Sequence, residues 1–214
     1  MVQKLLLSLI FVCVISTSHG QKSTKGLFSP AKFGIQFTQG NENNFLFDDT
    51  DYFYRTNTLK LELHYPLTQW KKIDISLILQ PQIQFIQHQL YNKYFVVVEE
   101  PNDLEKQERY AKLKDLSITA LEVTVDVKKQ LFRNTALFLQ VGLGIGYIDT
   151  ETERLAKGFT FIENANLGLE YSINTKTSIR LFSGLGHVSN FNFQFPNSGY
   201  NILNTGFSFQ YSLK

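Results

Sequence analysis

Near the C-terminus, Gly186-His187-Val188-Ser189-Asn190 is followed by Pro196-Asn197-Ser198-Gly199-Tyr200-Asn201. A histidine can take a proton near neutral pH, and a serine hydroxyl becomes a nucleophile when such a base stands beside it. In an extended strand, residues i and i+2 project from one face, so His187 and Ser189 are neighbours by geometry alone. A base beside a nucleophile is the minimum for acyl transfer. What that pair can do depends on the elements that hold it.

The first 20 residues have the form of a secretory signal peptide: Lys4, an apolar run from Leu5 to Ile15, then Ser18-His19-Gly20 before Gln21 as the first mature residue. The run is too short and wrongly flanked for a membrane helix. The only cysteine, Cys13, lies inside it without a lipoprotein context, so the mature chain carries neither a disulfide nor a thiol nucleophile. About 190 residues remain, enough for one domain. A net charge of +2 and 43% hydrophobic residues leave no basic footprint for nucleic acid.

The mature chain alternates with period two in eight segments. Leu59, Leu61, Leu63 and Tyr65 alternate with Lys60, Glu62 and His64; Leu121, Val123, Val125 and Val127 with Glu122, Thr124 and Asp126. These read as strands. Others follow around Phe33–Phe37, Ile73–Phe85, Leu137–Tyr147, Phe159–Tyr171, Ile179–Ser189 and Leu203–Leu213. Pro81 within the third predicts a local bulge. Gly142, Gly144 and Gly146 follow the same alternation with no helix behind them, so they read as packing residues, not as a nucleotide loop.

The polar faces decide the architecture. Gln80, Gln82, Gln84, Glu122, Asp126, Asn164, Asn166, Glu170 and Arg180 suit the narrow hydrogen-bonded interior of a barrel, which leaves the apolar faces to lipid. Connections after strands two, four and six are short, and the others mostly longer and more polar. The expected fold is therefore all-β: residues 21–214 form an eight-stranded antiparallel transmembrane barrel of the outer membrane with long extracellular loops. In the loop after strand three, Asn102 followed by Glu105 offers a cap for a short helix through Lys114, while the many charges there read first as a solvated surface. Tyr52, Phe53, Tyr54, Tyr91, Tyr94 and Phe95 are expected as membrane-interface anchors. His64 and His88 fall on interior positions as hydrogen-bonding residues. Neither has a second ligand at metal-site spacing, so no metal or cofactor is called for.

Parity puts His187, Ser189 and Asn201 on the lipid face at the extracellular end. His-x-Ser-Asn followed by a Pro-Asn-x-Gly loop, at the end of a small exported barrel, resembles the PagL-type lipid A 3-O-deacylases, also called acyloxyacyl hydrolases. The close resemblance covers about Gly186 to Asn201. It implies an eight-stranded outer-membrane barrel that hydrolyses the ester-linked acyl chain at position 3 of lipid A, drawn from lipopolysaccharide and the surrounding outer-membrane lipids. By resemblance Ser189 is the nucleophile and His187 its general base. Asn190 or Asn197 helps stabilise the oxyanion together with backbone amides near Asn192, and Gly199 belongs to the same substrate-binding loop. The family pattern has Glu as third triad member, where this chain has Asn201. An Asn carbonyl can still accept the ring N–H, but it brings no charge.

Register offers Glu163 as a second candidate, since a short turn near Thr175 sets it opposite His187 or Leu185. The ending from Gly206 to Leu213 resembles the signal read by the barrel-assembly machinery, although Lys214 stands last. Monomer and homodimer both remain open, and the competing reading is a non-catalytic barrel with a structural or adhesive role.

Overall fold

The alternating segments build eight strands: β1 (Lys32–Asn41), β2 (Tyr52–Trp70), β3 (Ile73–Leu90), β4 (Lys114–Phe132), β5 (Thr135–Ile148), β6 (Gly158–Ser172), β7 (Thr177–Ser189) and β8 (Tyr200–Ser212). The computed structural model describes residues 29–47, 49–97, 99 and 101–213, so the expected signal peptide lies outside the described residues. Each strand pairs antiparallel with the next, and β1 closes on β8 from Lys32↔Ser212 to Asn41↔Leu203. Closure leaves no free sheet edge and pairs the backbone internally, as hydrocarbon demands. Connections 71–72, 133–134 and 173–176 are short and leave one end of the barrel. Connections 42–51, 91–113, 149–157 and 190–199 leave the other.

Leu61, Val125, Val141, Leu169 and Leu181 are exposed around the outside, a belt of aliphatic side chains suited to lipid. The inside is charged, with knots of hydrogen bonds centred on carboxylates. Glu122 accepts from Lys60 Nζ at 2.7 Å, Gln82 Nε2 at 2.8 Å and Asn164 Nδ2 at 2.8 Å. Glu62 accepts from Ser208 Oγ at 2.6 Å and Gln210 Nε2 at 3.1 Å. The buried Arg180 donates from Nε to Glu170 at 2.7 Å and from its two terminal nitrogens to Asp126 at 2.8 and 3.1 Å. Room for these groups comes from small neighbours. A Cβ at Gly142 would lie 2.2 Å from Glu122 Oε1 and 2.5 Å from Thr124 Oγ1, so packing accounts for that glycine.

Towards the long-loop end the interior turns apolar, with Tyr52, Tyr54, Ile86, Ile118, Ile148, Leu155, Val188 and Tyr200 in one buried cluster. This corrects the expectation for Tyr52 and Tyr54, which are 3% and 0% exposed and are not interface anchors. Even-numbered residues of β2 point inward from Tyr52 to His64, and parity carries the two rings with them. Tyr54 stacks on Tyr200 at 4.2 Å. His64 and His88 are also inside, His88 Nε2 lying 2.9 Å from Glu153 Oε1.

Two further expectations are corrected. No bulge forms at Pro81, because Lys60↔Gln82 and Leu63↔Leu79 share one register on either side of it and β4 pairs straight across at Pro81↔Leu121. A backbone N–H serves only one neighbouring strand, so the proline removes one ladder bond without shifting the register. The β2–β3 irregularity lies instead between Pro66 and Thr68. The helix, α1 (Pro101–Tyr110), ends before Lys114, which already pairs with His88 as the first residue of β4. At its start Asp103 Oδ2, not Asn102, accepts the Glu99 N–H at 3.2 Å. Its last residue is docked by a hydrogen bond from the Tyr110 hydroxyl to Glu151, and burial together with that bond pushes the hydroxyl up to about 12.

Removing one partner of a buried ion cluster typically costs about 3–5 kcal/mol. Arg180→Ala is expected to destabilise the barrel by about that amount in urea unfolding followed by circular dichroism. A loss of less than about 1 kcal/mol, the worth of a surface pair, would show that the cluster does not hold the wall together.

Candidate active site

The site residues sit where β7 gives way to connection 190–199, and the register of three strands positions them. β7 lies between β6 and β8, with Glu163↔His187 on one side and His187↔Asn201 on the other. All three side chains share the outward face with Leu185 and Leu203. Directly opposite residues in antiparallel strands have Cβ atoms roughly 4.5–5.5 Å apart, so Glu163 and Asn201 flank the imidazole.

His187 Nδ1 and Asn201 Oδ1 are 2.7 Å apart. The amide oxygen only accepts, so the proton of this bond belongs to Nδ1, which leaves the Nε2 lone pair of the neutral ring to act as a base. No hydrogen bond joins Glu163 to the ring among the described residues. Ser189 follows on the same face, opposite Phe161, and its Oγ has no hydrogen-bond partner among the described residues. It is 8% exposed and opens into a hollow of about 230 Å³ lined by Glu163, His187, Ser189, Phe191, Asn192, Asn197 and Ser198.

The connection after Ser189 turns sharply. Phe191 and Asn192 have φ values of 53° and 62°, consecutive left-handed residues that Asn tolerates and Phe adopts only under constraint. Their backbone N–H groups have no protein acceptor among the described residues. Asn197 braces the turn from both ends of its amide. Its Oδ1 accepts the Asn190 N–H at 2.7 Å, and its Nδ2 donates to Asn192 Oδ1 at 3.0 Å. The Asn192 amide nitrogen is thereby left uncommitted at the hollow.

Asn190 departs from the expected arrangement. It is fully buried and does not line the hollow, and its Nδ2 donates to Gln194 O at 2.9 Å within the connection. A side chain engaged in holding the turn is not available to an oxyanion. Gly199 is drawn in for a steric reason: at φ +68°, a Cβ there would stand 2.7 Å from the Val188 carbonyl oxygen, 3.1 Å from His187 Cε1 and 3.4 Å from Nε2. The space between this backbone and the imidazole edge is thus too small for a side chain.

The part that sequence reasoning missed is connection 149–157, which is clamped to the site loop. Leu155 bridges to Asn197, and Ala156 N donates to Pro196 O at 2.9 Å. Arg154 O accepts from Ser198 N at 2.7 Å. Nothing periodic marks this connection in the sequence. In the structure it folds inward, with Thr152, Glu153, Leu155 and Ala156 buried.

A closed barrel, aliphatic outside and charged inside, with a histidine–asparagine pair on its outer wall, defines a small transmembrane barrel with an external site. Its fold is similar to the crystal structure of the outer membrane enzyme PagL, with a TM-score of 0.52 and 11% identity over 83% of this chain and 97% of that one. It is similar also to the neisserial surface protein A, with a TM-score of 0.46 and 7% identity over 85% and 96% of the two chains. Among curated proteins none matches in sequence. The model of the lipid A 3-O-deacylase (PagL) family matches residues 58–210, well over half of the chain, and the chain belongs to that family.

Gly199→Ala is expected to displace the Val188 carbonyl and the His187 ring and, because the left-handed conformation alone disfavours a side chain by about 1–2 kcal/mol, to lower stability by at least that amount. Urea unfolding and the histidine ring signals in NMR would check both. An unmoved His187 signal would mean that Gly199 does not shape the site.

Proposed function

We propose that this protein is an outer-membrane esterase that removes the acyl chain ester-linked at position 3 of lipid A, with Ser189 as nucleophile and His187 as general base. The observation that carries this reading is the 2.7 Å bond between His187 Nδ1 and Asn201 Oδ1, one same-face step from Ser189, in a chain of the lipid A deacylase family. His187 Nε2 takes the Ser189 hydroxyl proton as Oγ bonds to the ester carbonyl carbon. The tetrahedral intermediate collapses, and the same proton passes to the departing sugar oxygen. Water, deprotonated in turn by His187, releases the fatty acid and restores the serine.

The developing oxyanion meets the N–H groups of Phe191 and Asn192 and the Asn192 amide, with Asn197 holding that set in place and Asn190 bracing the turn. Asn201 fixes the tautomer. Glu163, on the opposite neighbouring strand, supplies the negative charge that an asparagine lacks when the imidazolium forms. The function of a third triad residue is thereby divided between two strands. A site on the lipid-facing wall near the extracellular end requires no substrate passage through the barrel. The lipid reaches it by lateral diffusion in the outer leaflet, while the long loops face the sugars of lipopolysaccharide.

Mass spectrometry of lipid A from an outer-membrane host tests this directly. Expression of the wild-type chain is expected to remove one hydroxyacyl chain from position 3, and Ser189→Ala at equal folded abundance is expected to leave lipid A intact. Unchanged lipid A in both would move the reading to a non-catalytic barrel. In purified protein, Asn201→Ala is expected to lower kcat by about 10²-fold or more, as losing the tautomer anchor does in related triads. Asn201→Asp, which keeps the acceptor and adds charge, is expected to raise it. Glu163→Gln should cost on the order of tenfold, about 1.4 kcal/mol of barrier. Full activity in Glu163→Gln would remove that residue from the mechanism.

A further inference from the structure

We infer that Arg154 is a positioning residue for His187, acting through the backbone of Gly199. The inference rests on the esterase reading above for its activity assay, and on geometry for its substance. Arg154 grips Gly199 by both peptide handles: its Nε donates to Gly199 O at 2.9 Å, and its own carbonyl accepts the Gly199 N–H at 3.1 Å. The space beside the Gly199 Cα is bounded by the Cε1–Nε2 edge of His187, which even a single added methyl would approach to 3.1 and 3.4 Å, and that edge must meet the serine proton. Nδ1, on the other side of Cε1, is held by Asn201, two residues further along the same chain. The imidazole is therefore hydrogen-bonded by one residue near the start of β8 and bounded by the backbone of another, and Arg154 sets the position of that boundary.

Arg154 itself has little freedom. Its guanidinium lies 4.4 Å from the Tyr52 ring centroid, 5.1 Å from Phe95 and 5.9 Å from Tyr200, and pairs with Asp49 at 3.5 Å. The residues on either side are anchored inside the barrel, Glu153 on His88 at 2.9 Å and Leu155 fully buried. The Tyr200 hydroxyl donates to Thr152 Oγ1 at 2.5 Å, tying the start of β8 to the same connection. A planar guanidinium can stack beneath aromatic rings while directing one N–H in the plane at a carbonyl. A lysine keeps the cation among the rings but has no donor at the Nε position.

That difference supplies the test. Wild type, Arg154→Ala and Arg154→Lys are purified as folded barrels and assayed on lipid A for kcat and KM. Melting is followed alongside, and Ser189 labelling by a fluorophosphonate, which reports the Ser–His pair without lipid A, is measured in each. In that labelling Ser189 Oγ bonds to phosphorus, fluoride leaves, and the serine proton passes to His187. Arg154→Lys is expected to melt within a few degrees of wild type yet lose about 10- to 100-fold in kcat and in labelling rate, with KM within about threefold, the scale of a misplaced reacting group. A folded Arg154→Lys within about twofold of wild type in kcat and labelling overturns the inference. So does a loss in Arg154→Ala that Arg154→Lys restores together with stability. If wild-type protein leaves lipid A intact while Ser189 labels in wild type and slowly in Arg154→Lys, the positioning role stands and the substrate reading falls. Absence of labelling in wild type as well overturns both.

Discussion

The register of β7 between its two neighbours governs the outer wall. Period two in the side chains means that a slip of one residue would turn His187 and Ser189 into the barrel and bring Val188 out to lipid. The slip is opposed on both faces at once, because Arg180 further down β7 is committed to Glu170 and Asp126 inside while the Leu181 and Leu185 face belongs to lipid. The same register that buries an arginine against two carboxylates sets a glutamate and an asparagine on either side of a histidine.

The interior is divided by function as well as by polarity. Carboxylate-centred knots fill the part nearer the short turns, where each buried charge is matched by donors from facing strands. A half-satisfied network there would be worse than an apolar core. The part beneath the long loops is aromatic and aliphatic, and it is from this plug that connection 149–157 reaches outward. Tyr52, Tyr54 and Tyr200 are thus structural rings that give the site loop a rigid floor. Such a floor can hold the left-handed turn at Phe191 and Asn192 in place.

In the proposed mechanism, asparagine in place of a carboxylate at position 201 separates two tasks that the family pattern gives to a single residue. Orientation of the ring needs only an acceptor at hydrogen-bond distance, which Asn201 Oδ1 provides. Charge needs only proximity, which the neighbouring strand offers in Glu163. A bare carboxylate on a lipid-facing wall is expensive, and a histidine beside it is the natural partner. The proposed division therefore also explains why a glutamate is tolerated at that depth.

Period two and the polarity of one face determined the architecture from sequence alone. Eight alternating segments with polar partners such as Gln82, Glu122 and Arg180 admit a membrane barrel with its charges inside, and the connection lengths sort its two ends. The same parity brought His187, Ser189, Glu163 and Asn201 to one face, because alternation is a local property that survives without knowing the neighbours. Tertiary structure decided what parity leaves degenerate. Whether an even-numbered tyrosine anchors at the interface or packs inside, as Tyr52 and Tyr54 do, depends on which face of β2 closes on the lumen at that height. That Asn201 rather than Glu163 bonds the ring follows from side-chain geometry across the β7–β8 pair, that Asn190 is spent inside its own loop from the path of that irregular loop, and that Arg154 holds Gly199 from a contact between connections 45 residues apart. Irregular loops carry no period, and their geometry exists only once the barrel beneath them has closed.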